Sequence, residues 1–408
     1  MPFPYLLYML WGLWPLAAYP GGKLFAPLVF LLGLFALPLL KRNVIGGTAF
    51  LAVLFLTWVC ASASWSPAAE GIFSGTFLGE DFAVEASYLR IGLTFIGCFL
   101  FLWLILHKPV ETYKRFPLWI YIGLGTHLLV VVFIAIFRDQ LLGAEGRGLI
   151  LTGQSIGRNI NLLALGAPLL LAGLAGWKSR LLALPLACLL IVIVTVLALR
   201  LDGLAAVFGL ILGAISLVVV QFAKKGGFRL LFNTLGAAVL FAPAIVFGLA
   251  QFAPALRAYV PLTTHQRILI WQAALERIVE KPLFGHGVNA SPTWTATYGS
   301  RPEFLEQLVP ELAEHRIIPN HPHNMALQIW AETGLVGALL VCALIVMLGR
   351  LIPDPRDLAL GPRIAAAGLF GASLAYFSVS YSVWDESFWA STAIVASGII
   401  ALQKLQAS

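Results

Sequence analysis

One stretch of the chain combines residues able to move a proton with the spacing of a helix. It reads His321-Pro-His323-Asn324, then Gln328 and Glu332, and runs into Thr333-Gly-Leu-Val-Gly337. Asn324, Gln328 and Glu332 recur every fourth residue, so they line one face of a helix's first turns. Polar groups on an otherwise apolar helix are costly and usually face a cavity or a partner. His323 stands at the mouth of that stripe, and a histidine, with an ordinary pKa near 6.5, suits removal of a proton from a hydroxyl at neutral pH. Two other uses of the His-x-His pair stay open. The rings can be structural, or they can be two metal ligands completed by His286, His315 or Glu332. Five of the seven histidines fall between residues 251 and 324, which favours a functional use.

The elements that must position these residues belong to a membrane. Of 408 residues, 60 % are hydrophobic and 11 % charged, with mean hydropathy +0.90. A soluble domain carries about 25 % charged residues, so a soluble enzyme is excluded. Twelve segments are apolar enough and long enough to cross about 30 Å of hydrocarbon: 4–20, 24–40, 44–62, 88–106, 116–137, 159–176, 181–199, 203–222, 230–250, 325–348, 364–382 and 387–403. The organisation expected is therefore nine spans in residues 1–250, a helical loop over residues 251–324, and three spans in residues 325–408. Residues 1–19 lack a basic leader and read as an anchored first span rather than a cleaved signal. The four cysteines, Cys60, Cys98, Cys188 and Cys342, lie in apolar runs that offer neither a disulfide framework nor zinc spacing.

Charge orients the spans. The net +7 divides into 14 basic and three acidic residues on one side of the spans, against 12 basic and 16 acidic on the other. The basic side is cytoplasmic, so both termini face the cytoplasm and the loop 251–324 faces outward. Nothing in the balance calls for nucleic acid.

Two capping boxes organise that loop. Thr263 to Gln266 opens a helix whose apolar positions are Ile268, Trp271, Leu275 and Ile278, closed at Lys281-Pro282. Ser300 to Glu303 opens a second, with Phe304, Leu305, Leu308 and Leu312 as its buried stripe. Between them the turn Lys281-Pro-Leu-Phe-Gly-His-Gly287 allows close backbone approach. A cap packed over the bundle accounts for most of these residues.

The outward basic residues differ in kind from the cytoplasmic ones. Ten of the twelve are arginines, whereas the cytoplasmic side has seven arginines and seven lysines. Arginine's planar fork binds phosphate oxygens bidentately. Arg147, Arg158, Arg200 and Arg267 lie near helix ends and are the candidates, set against interfacial snorkelling or pairing with Asp139, Glu145 or Asp202. Asp385, in the short turn before the last span, either starts that helix or faces the arginines or an acceptor hydroxyl. Neither a Walker-type phosphate loop nor a dinucleotide fingerprint occurs, so energy for an outward reaction must come from the substrate itself.

Arg267-x-x-x-Trp271, Pro282-x-x-Gly285-x-Gly287, His321-Pro-His323-Asn324 and Glu332-x-Gly334-Leu-x-Gly337 together resemble the O-antigen ligase/polymerase superfamily in type and order. Arg147-Gly148 with Asn159, and Arg200-x-x-Gly203 without a preceding serine, are similar to its upstream motifs; the matching part covers about 190 residues. The resemblance implies an all-α polytopic membrane protein, a GT-C-like glycosyltransferase with a large periplasmic loop in the bacterial inner membrane. It is most similar to the lipopolysaccharide O-antigen ligases; O-antigen polymerases and protein O-oligosaccharyltransferases are the alternatives within the superfamily.

The implied partners are O-antigen on undecaprenyl diphosphate, a lipid A–core acceptor and membrane lipids, with no cofactor, metal or nucleic acid. The implied roles make His323 the general base, oriented by Glu332 or Asn324. Arg147, Arg158, Arg200 and above all Arg267 would hold the diphosphate. His321, His286, Trp271 and Asp385 would stand at the acceptor or behind the base. A lipid-linked glycan transporter is the reading from another class, disfavoured because the polar residues gather outside rather than at mid-membrane.

Overall fold

Long apolar runs can satisfy their backbone hydrogen bonds away from water only by coiling into helices, and the chain does so throughout. The computed structural model describes residues 3–18, 24–40, 46–68, 71–74, 83–142, 153–176, 179–223, 225–257 and 259–408. The first helices are α1 (Phe3–Leu13), α2 (Phe25–Gly33, continued as a 3₁₀ turn to Leu39), α3 (Gly47–Ser62), α4 (Ser87–His107) and α5 (Phe116–Ile136). There follow the short α6 (Arg138–Leu142), then α7 (Gly153–Ala175), α8 (Arg180–Arg200), α9 (Leu204–Phe222), α10 (Gly227–Leu240) and α11 (Ala242–Ala250). The polar segment contributes α12 (Ala253–Leu256), α13 (Leu262–Glu280) and α14 (Pro302–Leu305), and the chain ends with α15 (Met325–Leu351), α16 (Leu360–Val379) and α17 (Glu386–Ala407). A two-residue antiparallel pair, Phe73–Ser74 with Ala83–Val84, is the sheet among the described residues.

Each of the twelve expected segments carries helix, but not each spans alone. Among the described residues eight helices are long and apolar enough to cross a membrane, and α10 with α11, bent by 70°, makes a ninth if the pair is one span. The bend falls at Phe241–Pro243, where a proline begins the second half and Trp330 Nε1 donates to the Val239 carbonyl at 2.9 Å. Helices α1 and α2 are shorter than a full crossing. Helix α16 is long enough at 20 residues, but it is rich in Gly, Ala and Ser. It packs between α7 and α9, so protein rather than lipid decides its composition.

Small residues let these helices touch. Gly209 lies against the Ala372 Cα and Gly213 against the Gly368 Cα where α9 meets α16, and Gly12 meets Gly123 between α1 and α5. Side-chain hydrogen bonds cross the bundle as well: Trp11 Nε1 to Ser397 Oγ at 2.9 Å and Tyr376 OH to the Asn161 carbonyl at 2.7 Å. Lipid-facing surfaces stay apolar; Leu181 on α8 is 88 % exposed. Phe3, Lys108 and Lys404 meet at one end of the bundle, so the first and last helices share that end.

The opposite end collects the end of α3, the starts of α4, α15 and α17, and residues 251–324. The two capping boxes are corrected here. Helix α13 starts one residue before Thr263, with Pro261 in the N-cap position and no side-chain cap, because proline's fixed φ already sets the helix entry. The second box is real but lies three residues earlier, between Thr297 and Ser300, whereas α14 begins at Pro302 without a side-chain cap. The expected apolar stripes hold: Ile268, Ile278, Phe304 and Leu308 are buried, and Trp271, Leu275, Leu305 and Leu312 are partly so.

Candidate active site

Two sequence motifs some fifty residues apart turn out to be one structure. Helix α15 breaks at Gly334, whose φ of 67° and ψ of −167° are outside helical values. The turn after α13 fills the break. His286 N donates to the Ala331 carbonyl at 2.9 Å, Gly287 N to Glu332 O at 2.8 Å, and Leu335 N to Pro282 O at 2.9 Å. Gly285, also left-handed at φ 68°, and Gly334 need their glycines twice over, since a Cβ on either would strike the other segment's backbone. Two indoles from the end of α3 hold the same joint: Trp58 Nε1 donates to Thr333 O at 3.0 Å and Trp65 Nε1 to Gly285 O at 3.3 Å.

Glu332 sits in this joint with no exposed surface. Its Oε2 accepts from Asn289 N at 2.7 Å and Trp384 Nε1 at 2.5 Å. Its Oε1 accepts from Ser291 Oγ at 2.5 Å, Ser291 N at 3.3 Å and Gln328 Nε2 at 3.1 Å. Every lone pair of the carboxylate is thus occupied by the protein's own donors. The other end of the Gln328 amide accepts from Ser382 Oγ at 3.1 Å and Val383 N at 3.0 Å. Glu332 and Gln328 therefore clamp the turn between α16 and α17. The polar stripe read from the sequence is present, but it is filled from within rather than open to a cavity.

His323 follows from that clamp. Its Nδ1 lies 3.1 Å from the Ser380 carbonyl, on the clamped turn. A carbonyl only accepts, so Nδ1 carries the hydrogen and the neutral ring's lone pair falls on Nε2. Neither Glu332 nor Asn324 hydrogen-bonds the ring; Asn324 Oδ1 caps α15 by accepting from Leu327 N at 3.0 Å. His321 supports the backbone instead: its Nδ1 accepts from His323 N at 3.1 Å, and the two rings lie 4.3 Å apart. His323 holds φ at 53°, sparsely populated for a side-chain-bearing residue. Burial, with the His323 charge adding, lowers His321 to about 3. Burial also lowers His323, the Arg267 charge lowers it further, and the Ser380 carbonyl works the other way. Both rings are neutral at pH 7.

Arg267 on α13 is thereby placed within electrostatic reach of His323. It is half-buried, its own pKa is lowered by burial, and it makes no hydrogen bond or ion pair among the described residues. The other outward arginines are mostly committed. Arg90 pairs with Glu386 at 2.9 Å, Arg138 with Asp202, Arg277 with Glu280 at 3.0 Å, and Arg301 with Glu276 at 2.9 Å and with Glu303. Arg200 lies in an exposed pair with Asp139 at 3.8 Å, and no contact joins it to the His323 group. Arg147 falls outside the described residues. Arg158 opens on a small pocket between α7, α16 and α17 with Asn161, Tyr381, Ser387 and Ser391. Tyr381 follows Ser380, so this pocket adjoins the turn that holds His323.

The remaining candidates lie around this group. His286 is buried, Nε2 donating to the Arg277 carbonyl at 2.9 Å and closing the end of α13; burial is the main cause lowering its pKa. Asp385 starts α17, its Oδ1 accepting from Phe388 N at 3.1 Å and Ser387 Oγ at 2.6 Å. Trp271 packs one turn beyond Arg267 with its Nε1 buried and without a partner. Among the described residues no three His, Cys, Asp or Glu side chains group as metal ligands. Sequence reasoning missed Ser380 and Ser291. Ser380 acts through its carbonyl, which every residue has, so no residue-type signal existed to find it.

The fold defines a multi-pass helical membrane protein, one end of which holds a neutral histidine and, within electrostatic reach of it, a guanidinium with no ion pair among the described residues. Residues 149–342 match the family model described as O-Antigen ligase. A Rickettsia bellii protein named "Putative polysaccharide ligase" is 29 % identical over 200 residues, 47 % of this chain and 45 % of that one. One of the same description from Rickettsia conorii is 25 % identical over 209 residues, 50 % and 47 % of the two chains. The chain thus spans about half the length of the curated relatives it matches. The matched segment, just under half of the chain, carries Arg158, Arg267, His323 and Glu332 and is similar to the O-antigen ligase family.

Proposed function

We propose that the chain is a lipopolysaccharide O-antigen ligase of the bacterial inner membrane, with both termini cytoplasmic and the His323 end facing the periplasm. A hydroxyl of lipid A–core attacks the anomeric carbon of an O-antigen chain carried on undecaprenyl diphosphate. The new bond joins that oxygen to the anomeric carbon, and the bond to the phosphate oxygen breaks with its electron pair. The hydroxyl proton passes to His323 Nε2, and the anomeric centre inverts because attack is direct. No nucleotide takes part, since the diphosphate is itself the leaving group.

The observation that carries this reading is a half-buried Arg267, without an ion pair among the described residues and within electrostatic reach of a histidine whose free lone pair is on Nε2. The guanidinium gives the departing diphosphate two parallel donors in a site of reduced water, where such stabilisation is strongest. Arg158 is a second phosphate contact, approaching from α7. Arg200 reaches the phosphate only if the substrate draws it in, its 3.8 Å pair with Asp139 being loose enough to exchange, and Arg147, outside the described residues, is proposed as a further contact. The lowered pKa of His323 keeps the base neutral at the pH of the reaction. A placed base of this kind contributes about 10²–10⁴ in rate.

The test mixes purified protein with lipid-linked O-antigen and rough lipopolysaccharide in detergent, without nucleotide. Ligated lipopolysaccharide is the expected product. A lengthened lipid-linked glycan would make the protein a polymerase, glycosylated protein an oligosaccharyltransferase, and unchanged substrates would favour transport.

A further inference from the structure

We infer that Gln328, one turn inside α15, is a positioning residue for the His323 base and not only a buried packing element. The inference rests on the reading above for the base, but not for its geometry. His323 and Gln328 do not touch; they are joined through the turn between α16 and α17. Gln328 Oε1 accepts from Ser382 Oγ at 3.1 Å and Val383 N at 3.0 Å, fixing the turn from within the bundle. Two residues earlier on that turn, the Ser380 carbonyl takes the Nδ1 hydrogen of His323 at 3.1 Å. Gln328 Nε2 donates to Glu332 Oε1 at 3.1 Å, and Glu332 Oε2 accepts from Trp384 Nε1, so the same turn is held at a second point.

The amide serves both ends, donating to Glu332 and accepting from the turn. A carboxylate there has no hydrogen for Glu332, and an apolar side chain offers nothing to Ser382 or Val383. Without the clamp the Ser380 carbonyl is free to withdraw from His323. The neutral ring then divides between its two tautomers, and the lone pair leaves Nε2 for part of the population. Asn324 is occupied as the α15 cap and does not take over. A histidine's tautomer is thus set at a distance by a glutamine that never meets the substrate.

The test uses the full chain in lipid nanodiscs, with Gln328→Met and Gln328→Glu. Histidine ring-nitrogen NMR, with the His323 signal identified by its loss in His323→Gln, reads the tautomer without any substrate. The wild-type ring is expected as the Nδ1–H form, and Gln328→Met as a mixture. In ligation, Gln328→Met is expected to lose about 10–10² in kcat, the scale of a sub-ångström to 1 Å misplacement, with the KM for the lipid-linked donor unchanged.

Gln328→Glu separates positioning from packing. A protonated glutamic acid copies glutamine, donating its O–H to Glu332 and accepting from the turn, whereas the ionised form repels Glu332. The other titratable and charged groups of the elements around it are His321 and His323 before α15, Arg267 on α13, Tyr376 on α16, Tyr381 and Asp385 on the turn, and Glu386 at the start of α17. Turnover of this variant is expected to climb as pH falls, until His323 itself protonates. A Gln328→Met protein that keeps the pure Nδ1–H signal, and whose kcat falls only with its folded fraction, would overturn the inference. Wild-type protein that transfers no glycan would defeat the ligase reading alone, because the NMR outcome still decides the role of Gln328.

Discussion

Glu332 and Arg267 are both charged residues at the polar end of the bundle, and the protein treats them in opposite ways. Five donors surround the Glu332 carboxylate and none of its surface meets solvent. Arg267 is also drawn away from water, yet it receives no partner among the described residues. Burying a charge without compensation is destabilising, so a fold selected for stability alone would pair both or expose both. The contrast separates charge consumed in folding from charge that, on the proposed reading, is left for a ligand.

The largest effect should come from breaking the consumed charge. Glu332→Ala leaves Trp384 Nε1, Ser291 Oγ, Gln328 Nε2 and two backbone N–H groups unpaired in the joint between α15 and the turn at 282–287. Each orphaned buried group costs about 1–3 kcal/mol, against a total stability of about 5–15 kcal/mol. The variant should therefore fail to accumulate as monodisperse protein on size-exclusion chromatography. A well-behaved Glu332→Ala protein would mean that the joint is not what holds this end together.

His323→Ala should behave the other way, folding normally and losing about 10²–10⁴ in turnover. Its one side-chain bond, to the Ser380 carbonyl, leaves a carbonyl that water can reach once the ring is gone. Single-turnover ligation on folded protein is the measurement. Ordinary rates would remove His323 from the chemistry and return it to the structural reading.

Arg267 gives a smaller effect with two separable parts. Arg267→Lys keeps the charge but not the fork, and a loss of about tenfold or more in turnover is expected at a bidentate phosphate contact. Arg267→Gln removes the charge that helps depress His323. The sign follows: the catalytic form is neutral, so a lowered pKa carries activity to more acid pH than an ordinary histidine allows. Removing the guanidinium lets the pKa rise, and the acid limb of the kcat/KM profile should move toward higher pH. An unmoved limb would show that the two groups do not sense each other.

The same contrast explains what could be read from the sequence. Helix positions were legible because apolar length is a local property, and the site's membership was legible because His323, Asn324, Gln328 and Glu332 are near neighbours in one chain segment. Which role each plays was not, because it depends on pairing between residues far apart. Nothing in residues 282–287 announces that their backbone will fill the break at Gly334, although the glycines of that turn marked it as a place of close approach. Arg301 meets Glu276 across 25 residues of chain, whereas Arg267 meets no carboxylate among the described residues, and that is a tertiary fact. Ser380 contributes a carbonyl, which no residue-type pattern reveals. The first capping box misled because Thr263 has the right residue type one position inside a helix that Pro261 had already started.

The smallest effect tests whether a charged residue beside the site belongs to the consumed class. Asp385 is close to the turn that holds His323, so its position alone would suggest chemistry. Its hydrogen bonds do not: Oδ1 is committed to Phe388 N and Ser387 Oγ at the start of α17. Asp385→Asn retains an oxygen acceptor in the same place and should keep both stability and turnover. Asp385→Ala removes the cap and should cost about 1 kcal/mol of stability, read as a modest fall in melting temperature. Turnover per folded molecule should stay as in the parent, since α17 is also held by Trp384 on Glu332 and by its packing on α4 and α16. If Asp385→Asn instead lowers turnover while melting normally, the negative charge itself matters, and Asp385 moves from the side of Glu332 to the side of Arg267.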